Sequence, residues 1–147
     1  MVIQVWARVG ADCYLLDQQR GQWSFRETVE ALRALAAAWR PAAVLVEDAA
    51  NGPAVIDTLS DEVPGLVPVT PRGSKESRAH ATTGLWAAGN VHLPPVRRSW
   101  VGDLIDELLH FPHAAHDDQI DAATQALRYL TQRDGADWIY DLVGMSR

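Results

Sequence analysis

Cysteine is almost absent from this 147-residue sequence, which has Cys13 alone. A lone thiol forms no internal disulfide and offers no thiol cluster to a metal, which excludes a disulfide scaffold and a cysteine-rich zinc module. Long hydrophobic runs are missing too, and no basic-then-apolar leader follows Met1. We therefore expect a cytoplasmic protein that is neither inserted in a membrane nor secreted.

Positive charge is also scarce, since 13 lysines and arginines stand against 19 aspartates and glutamates, for a net charge of −6. This balance argues against a protein that holds nucleic acid by bulk positive charge, although a local basic face is compatible with an acidic total. The basic residues concentrate at Arg72, Lys75 and Arg78 and at Arg97 and Arg98. These are candidate phosphate contacts, and a solvated surface is the alternative interpretation for each.

Two common catalytic patterns are missing or interrupted. No Gly-x-x-x-x-Gly-Lys-Ser/Thr motif occurs, so the sequence has no phosphate-binding loop of the ATPase type. His110, His113 and His116 are spaced by three residues, but Pro112 interrupts any helix that would place them on one face. A zinc site is therefore disfavoured, and a small-molecule phosphohydrolase that uses His113, His116 and Asp117 is kept as an alternative.

The apolar periodicity predicts an α/β domain with a mixed sheet flanked by helices. A hairpin is expected over residues 2–16, and a capping box at Ser24 and Glu27 begins a helix that ends near residue 39. Later strands are expected at 42–46, 66–69 and 91–93, and later helices at 54–59, 75–88, 100–108 and 117–131. The pattern then decays, so we expect one domain over 1–133 and a tail over 134–147.

That tail has three possible roles, because it could contact a partner, pack on the core or remain mobile. Its apolar residues Trp138, Ile139 and Tyr140 are candidates to dock it.

Two acidic clusters are the most informative feature. Glu47 and Asp48 end a predicted strand, and Asp117, Asp118 and Asp121 open the last predicted helix. Ligands bind at the carboxyl ends of strands in open α/β sheets, and gathered carboxylates repel one another unless cations lie between them. The clusters therefore predict a divalent-metal site for phosphodiester chemistry.

Each cluster also has a structural alternative. Glu47 and Asp48 could be a polar pair that ends a strand, and acids in a first turn stabilise a helix by capping it and by complementing its dipole. Helical geometry predicts that Asp117 lies closest to the buried stripe, that Asp121 lies one turn further along and that Asp118 points towards solvent.

Four motifs follow one another along the chain at compatible spacing. They are Val44-Leu45-Val46-Glu47-Asp48 with Asn51-Gly52-Pro53, Pro71-Arg72-Gly73-Ser74-Lys75 with Arg78, Gly89-Asn90-Val91, and His116-Asp117-Asp118-Gln119-Ile120-Asp121-Ala122. In this order they resemble the C-terminal nuclease domain of tailed-phage terminase large subunits, over about residues 2–130.

The resemblance implies an RNase H-like fold and two-metal cleavage of concatemeric double-stranded DNA with Mg²⁺ or Mn²⁺. It implies that Glu47 is the acid of the central strand and that Asp117 or Asp118 is the acid of the last helix. Asp48 and Asp121 would be supporting metal ligands.

The resemblance further implies that Arg72, Lys75 and Arg78 contact DNA. The implied partners are double-stranded DNA, portal and small terminase proteins, with an ATPase domain upstream in the full protein. The implied location is the cytoplasm of a bacterial host.

The sequence departs from the family at its first residue. Family members have a strand with an essential aspartate before the hairpin, whereas Met1 here begins at the hairpin, and Asp12 and Asp17 are poor substitutes. We therefore expect an N-terminally incomplete RNase H-like sheet with an unpaired seam beside the strand at 42–46. An endonuclease domain is the expected function, and an inactive remnant that binds DNA or packaging proteins is the alternative.

Overall fold

The structure, a computed structural model, describes residues 1–132 and 141–145. The strands are β1 (Val2–Val9), β2 (Asp12–Arg20), β3 (Ala43–Glu47), β4 (Leu66–Val69), β5 (Val91–His92) and β6 (Asp141–Met145). The helices are α1 (Phe25–Trp39), α2 (Gly52–Leu59), α3 (Lys75–His80), α4 (Thr83–Ala87), α5 (Ser99–His110) and α6 (Asp118–Gln132). The strands form one mixed sheet in the order β4-β3-β6-β1-β2-β5. In the part of the chain described, no helix combines the length and the apolarity needed to cross a membrane.

The predicted hairpin and first helix are present. β1 and β2 pair antiparallel, and β2 continues to Arg20, beyond the expected end at residue 16, because its polar last residues pair with the start of β1. At the start of α1, the hydroxyl of Ser24 accepts a hydrogen bond from the backbone of Glu27, whose carboxylate accepts one from the backbone N–H of Ser24. This reciprocal capping box confirms where the helix begins.

Two hydrophobic clusters cover the two faces of the sheet. Side chains alternate along a strand, and in β1 Ile3 and Val5 belong to one cluster while Trp6 belongs to the other. The first cluster contains buried residues of α1 and α2, and the second contains buried residues of α5 and α6. The sheet is thus a central layer between two helical layers.

The segment predicted as one helix over 75–88 is divided into α3 and α4. Between them, the hydroxyl of Thr82 donates to the carbonyl of Ala79 and the hydroxyl of Thr83 donates to the carbonyl of His80, each at 2.8 Å. Threonine side chains that bond nearby carbonyls compete with the helical ladder. This competition explains a break that apolar periodicity does not reveal.

The strand β6 comes from the part of the chain that was expected to be a tail. It lies between β3 and β1, parallel to β3 and antiparallel to β1, and Leu142 is in register with both Val44 and Val5. The seam that was expected to be unpaired is therefore closed by this strand. The suggestion that Trp138, Ile139 and Tyr140 dock the tail concerns residues outside those described.

The register of β6 also determines where its one acidic residue, Asp141, lies along the sheet. Asp141 is opposite Ala43 at the start of β3, whereas Met145 is opposite Val46, next to the end of β3 at Glu47. β6 therefore lies between β3 and the hairpin, and its register places Asp141 away from the end of β3 where Glu47 lies.

A proline in β6 tests this strand. We expect Leu142→Pro to lower the free energy of unfolding by about 1–3 kcal/mol, because proline removes a backbone donor from an interior strand. Urea unfolding measures the change. Asp141→Pro is the matched control, since proline is tolerated at the first residue of a strand. Equal stability of Leu142→Pro and the unchanged protein would show that β6 is not an integral strand.

Candidate functional site

A cleft of about 360 Å³ opens beside the carboxyl ends of two strands. Glu47 ends β3 and Val69 ends β4, and the two residues are in register across the parallel pair. Both line the cleft, and α6 contributes Asp121 and Arg128 to its lining. The structure therefore brings one residue of each predicted acidic cluster to one place, at the strand ends where ligands of α/β sheets bind.

Basic side chains line the same cleft. Arg72 and Arg78 contribute to it together with Arg128. Arg78 donates hydrogen bonds to the carbonyl of Gly73, at 2.9 Å, and to the carboxylate of Asp121, at 3.3 Å. The cleft thus combines two acids with several guanidinium groups, which are suited to phosphate recognition.

The aspartates at the start of α6 each have a cationic partner. The ammonium of Lys75 lies 2.8 Å from a carboxylate oxygen of Asp117 and 2.8 Å from one of Asp121. The amino group of Met1 lies 3.3 Å from Asp118. Burial lowers the pKa of Lys75, but hydrogen bonds to Asp117 and Asp121 outweigh it and raise the pKa above the ordinary value. Lys75 is therefore held in its charged form between two acids.

The exposure of these aspartates differs from the expected order. The side chain of Asp121 is 9% exposed, that of Asp118 is 23% exposed and that of Asp117 is 37% exposed. The expectation that Asp117 lies closest to the buried stripe was wrong because α6 begins at Asp118 and Asp117 precedes it. Helical geometry does not apply to a residue outside the helix.

Several predicted ligands are not in the cleft lining. Asp48 is exposed beyond β3, and its backbone N–H donates to the carbonyl of Val69 at 2.8 Å. Asp118 and Asp117 also lie outside the lining. Lys75 forms ion pairs with both Asp117 and Asp121 and so connects Asp117 to the cleft. Glu47 and Asp121 are thus the predicted acids that the fold brings to one cleft.

The described side chains do not by themselves complete a two-ion site. Among the side chains that the structure describes, those of residues 1–132, no group of three or more histidine, cysteine, aspartate or glutamate residues is placed to hold a metal ion. The carboxylates have the oxygen chemistry that Mg²⁺ and Mn²⁺ prefer, but Lys75 pairs with Asp117 and Asp121, and Arg78 pairs with Asp121. His110, His113 and His116, all within the described part of the chain, likewise form no such group.

Close packing next to the cleft explains why position 52, in the first of the four motifs, is a glycine. A Cβ atom at this position would lie 1.8 Å from the carbonyl oxygen of Glu47, far inside van der Waals contact. The start of α2 therefore packs directly against the backbone of the acid that ends β3. Only glycine permits this approach.

One pair of buried polar residues was not predicted from the sequence. Glu107 and Gln119 are buried polar residues that contact each other beneath the start of α6. The available signal was the position of Glu107 on the buried stripe of α5, next to Leu104 and Leu108, where a charged residue is unusual unless it is paired.

Comparison with known families identifies the domain. Residues 1–130 match the family model described as the terminase RNaseH-like domain. The chain belongs to this family. Comparison with curated proteins gives no match.

The match confirms the resemblance seen in the sequence and the RNase H-like fold, which agrees with the mixed sheet and its flanking helices. It also identifies a nuclease-type domain of the DNA-packaging terminases. The residue roles within the cleft are not assigned by the match and stay predictions.

The close packing at Gly52 gives a test of the fold around Glu47. We expect Gly52→Ala to destabilise the domain by about 1–3 kcal/mol, because the new methyl group forces the backbone of Glu47 to move. Gly102→Ala is the matched control in α5, where nothing lies within 4 Å of an added Cβ, and alanine there should add about 0.5–1 kcal/mol of stability. Chemical denaturation measures both. Similar effects of the two substitutions would contradict the close approach.

Proposed function

We propose that this domain engages double-stranded DNA at the cleft between Glu47 and Asp121 and acts as the endonuclease domain of a packaging terminase. The observation that supports this proposal is the meeting of Glu47, from a strand end, with Asp121 and three arginines in one cleft. Arginines bind phosphate oxygens through paired donors, and acids at a strand end are placed for phosphodiester chemistry. Family membership supports DNA as the substrate.

We further propose that the domain cuts concatemeric DNA in a metal-dependent reaction that uses two ions, Mg²⁺ or Mn²⁺. Such chemistry requires carboxylates to hold the ions, and in this cleft Glu47 and Asp121 would be two of them. A further carboxylate donor is needed, because the described residues do not complete a two-ion site. The contribution of the metal when bound would be to polarise the phosphate and to activate water.

A second candidate function is a module of the same fold that binds DNA or packaging proteins without cutting. The observation that favours it is the pairing of Asp117 and Asp121 with the side chains of Lys75 and Arg78. These contacts neutralise acids that a nuclease would use for metal. Portal and small terminase proteins are the packaging partners that we propose for either function, on the ground of family membership.

Plasmid cleavage tests the catalytic part of the proposal. We expect nicking of supercoiled plasmid with Mg²⁺ or Mn²⁺ to fall to background in Glu47→Gln, which keeps the shape of the side chain and removes its charge. Asp48→Asn is the matched control, because Asp48 lies outside the cleft lining, and it should cut as the unchanged domain does. Nicking that survives in Glu47→Gln would place the chemistry elsewhere. DNA binding without any nicking by the unchanged domain would favour the second candidate.

The salt dependence of DNA binding tests the basic part of the cleft. We expect Arg72→Ala and Arg128→Ala each to weaken binding and to reduce the slope of log K against log salt by about 0.9, because each loses one phosphate contact. Fluorescence anisotropy with a labelled duplex measures the slope. Arg97→Ala removes an exposed arginine outside the cleft lining and should leave the slope unchanged. Equal slopes in all four proteins would show that DNA binds on another surface.

A further inference from the structure

Glu107 contacts the start of α6 from a different helix. It is 6% exposed, and one carboxylate oxygen accepts hydrogen bonds from the backbone N–H groups of Gln119, at 2.8 Å, and Ile120, at 3.2 Å. Its other oxygen accepts from the side-chain amide of Gln119 at 2.6 Å. The backbone donors belong to the first turn of α6, where amides have no partner within the helix. Glu107 therefore supplies an N-terminal cap from outside.

A cap of this kind normally comes from the residue that precedes the helix. Asp117 holds that position, since its carbonyl accepts the hydrogen bond from the backbone of Asp121 at 2.9 Å. Aspartate is among the best capping residues, but the carboxylate of Asp117 contacts Lys75 at 2.8 Å instead. Two amides of the first turn of α6 thus have Glu107 as their acceptor, and no hydrogen bond from them to the side chain of Asp117 is recorded among the described residues.

The contact belongs to a buried network that reaches the middle of the sheet. Gln18 donates to the side-chain oxygen of Gln119 at 2.8 Å, and Gln4 donates to Gln18 at 2.8 Å and to the carbonyl of Gln119 at 3.1 Å. Trp6 donates to Gln4 at 2.9 Å. A buried network that is fully hydrogen-bonded favours one arrangement, because any other leaves polar groups unpaired. This network connects the first turn of α6 to β1 and β2.

We propose that Glu107 is a positioning residue for the acidic start of α6. It caps the helix in place of Asp117, so that the carboxylate of Asp117 is directed to Lys75 beside the cleft rather than back to its own helix. The relevance to DNA chemistry rests on the proposed function, whereas the exchange of capping roles is a property of the folded domain. The two can be tested separately.

A coupling experiment on stability tests the exchange without DNA. Lys75→Met is the background, because it removes the ion pair that Asp117 makes in the folded domain. In this background we expect Asp117→Ala to change the unfolding equilibrium constant by less than about twofold, since Glu107 still caps α6. With Glu107→Ala added, Asp117 becomes the available cap, and Asp117→Ala should then cost about fivefold. Denaturant unfolding measures all four proteins.

Two further variants separate positioning from a merely structural role. Asp103→Ala removes an exposed acid of the same helix and should leave the effect of Asp117→Ala below twofold. Glu107→Gln keeps one oxygen acceptor for the backbone of α6 and should also keep that effect small. Truncation of any buried residue is expected to lower stability, so a loss in Glu107→Ala alone does not distinguish the two roles. The exchange of caps predicts in addition that the cost of Asp117→Ala rises when position 107 loses its oxygen acceptor.

The outcome that overturns the proposal is an equal cost of Asp117→Ala with and without Glu107. If Glu107→Ala does not fold, the Lys75→Met background with Glu107 intact still decides the question. A cost of fivefold or more for Asp117→Ala in that background would show that Asp117 caps α6 itself. Neither result depends on whether the domain binds or cuts DNA.

Discussion

Backbone hydrogen bonding across the middle of the sheet is the constraint on which the rest of this domain depends. β1 and β3 are buried, so peptide groups that face the space between them need a protein partner in place of water. β6 provides it to both neighbours, since Leu142 is in register with Val5 and Val44. One strand thereby fixes the hairpin relative to β3 and, through β3, the position of Glu47 in the cleft.

Charge balance is the second organising feature. The domain gathers aspartates at the start of α6, and their mutual repulsion in a partly buried place must be offset. In this fold Lys75 and Arg78 on α3 offset that repulsion, so two residues that were expected to contact DNA also contact the domain's own acids. The same residues can therefore serve stability and DNA binding only by exchanging partners, because an ammonium held between two carboxylates is less available to phosphate.

Local signals in the sequence predicted much of the fold. The capping box at Ser24 placed the start of α1, and the apolar run before Glu47 predicted β3, because both are decided by neighbours in the chain. The sequence did not predict the division between α3 and α4, since it depends on the backbone carbonyls to which the hydroxyls of Thr82 and Thr83 donate. β6 was missed because a short strand that pairs only with distant partners leaves little periodicity of its own.

The sequence by itself determined the α/β class, the family, and the presence of acids at a strand end and at a helix start, because these follow from local pattern and ordered motifs. Only the tertiary structure decided which acids share the cleft, that Lys75 lies between Asp117 and Asp121, and that Glu107 rather than Asp117 caps α6. The physical reason is that these outcomes join residues far apart in the chain. An ion-pairing or capping group has several possible partners, and the packing of the whole domain determines which of them lies within reach.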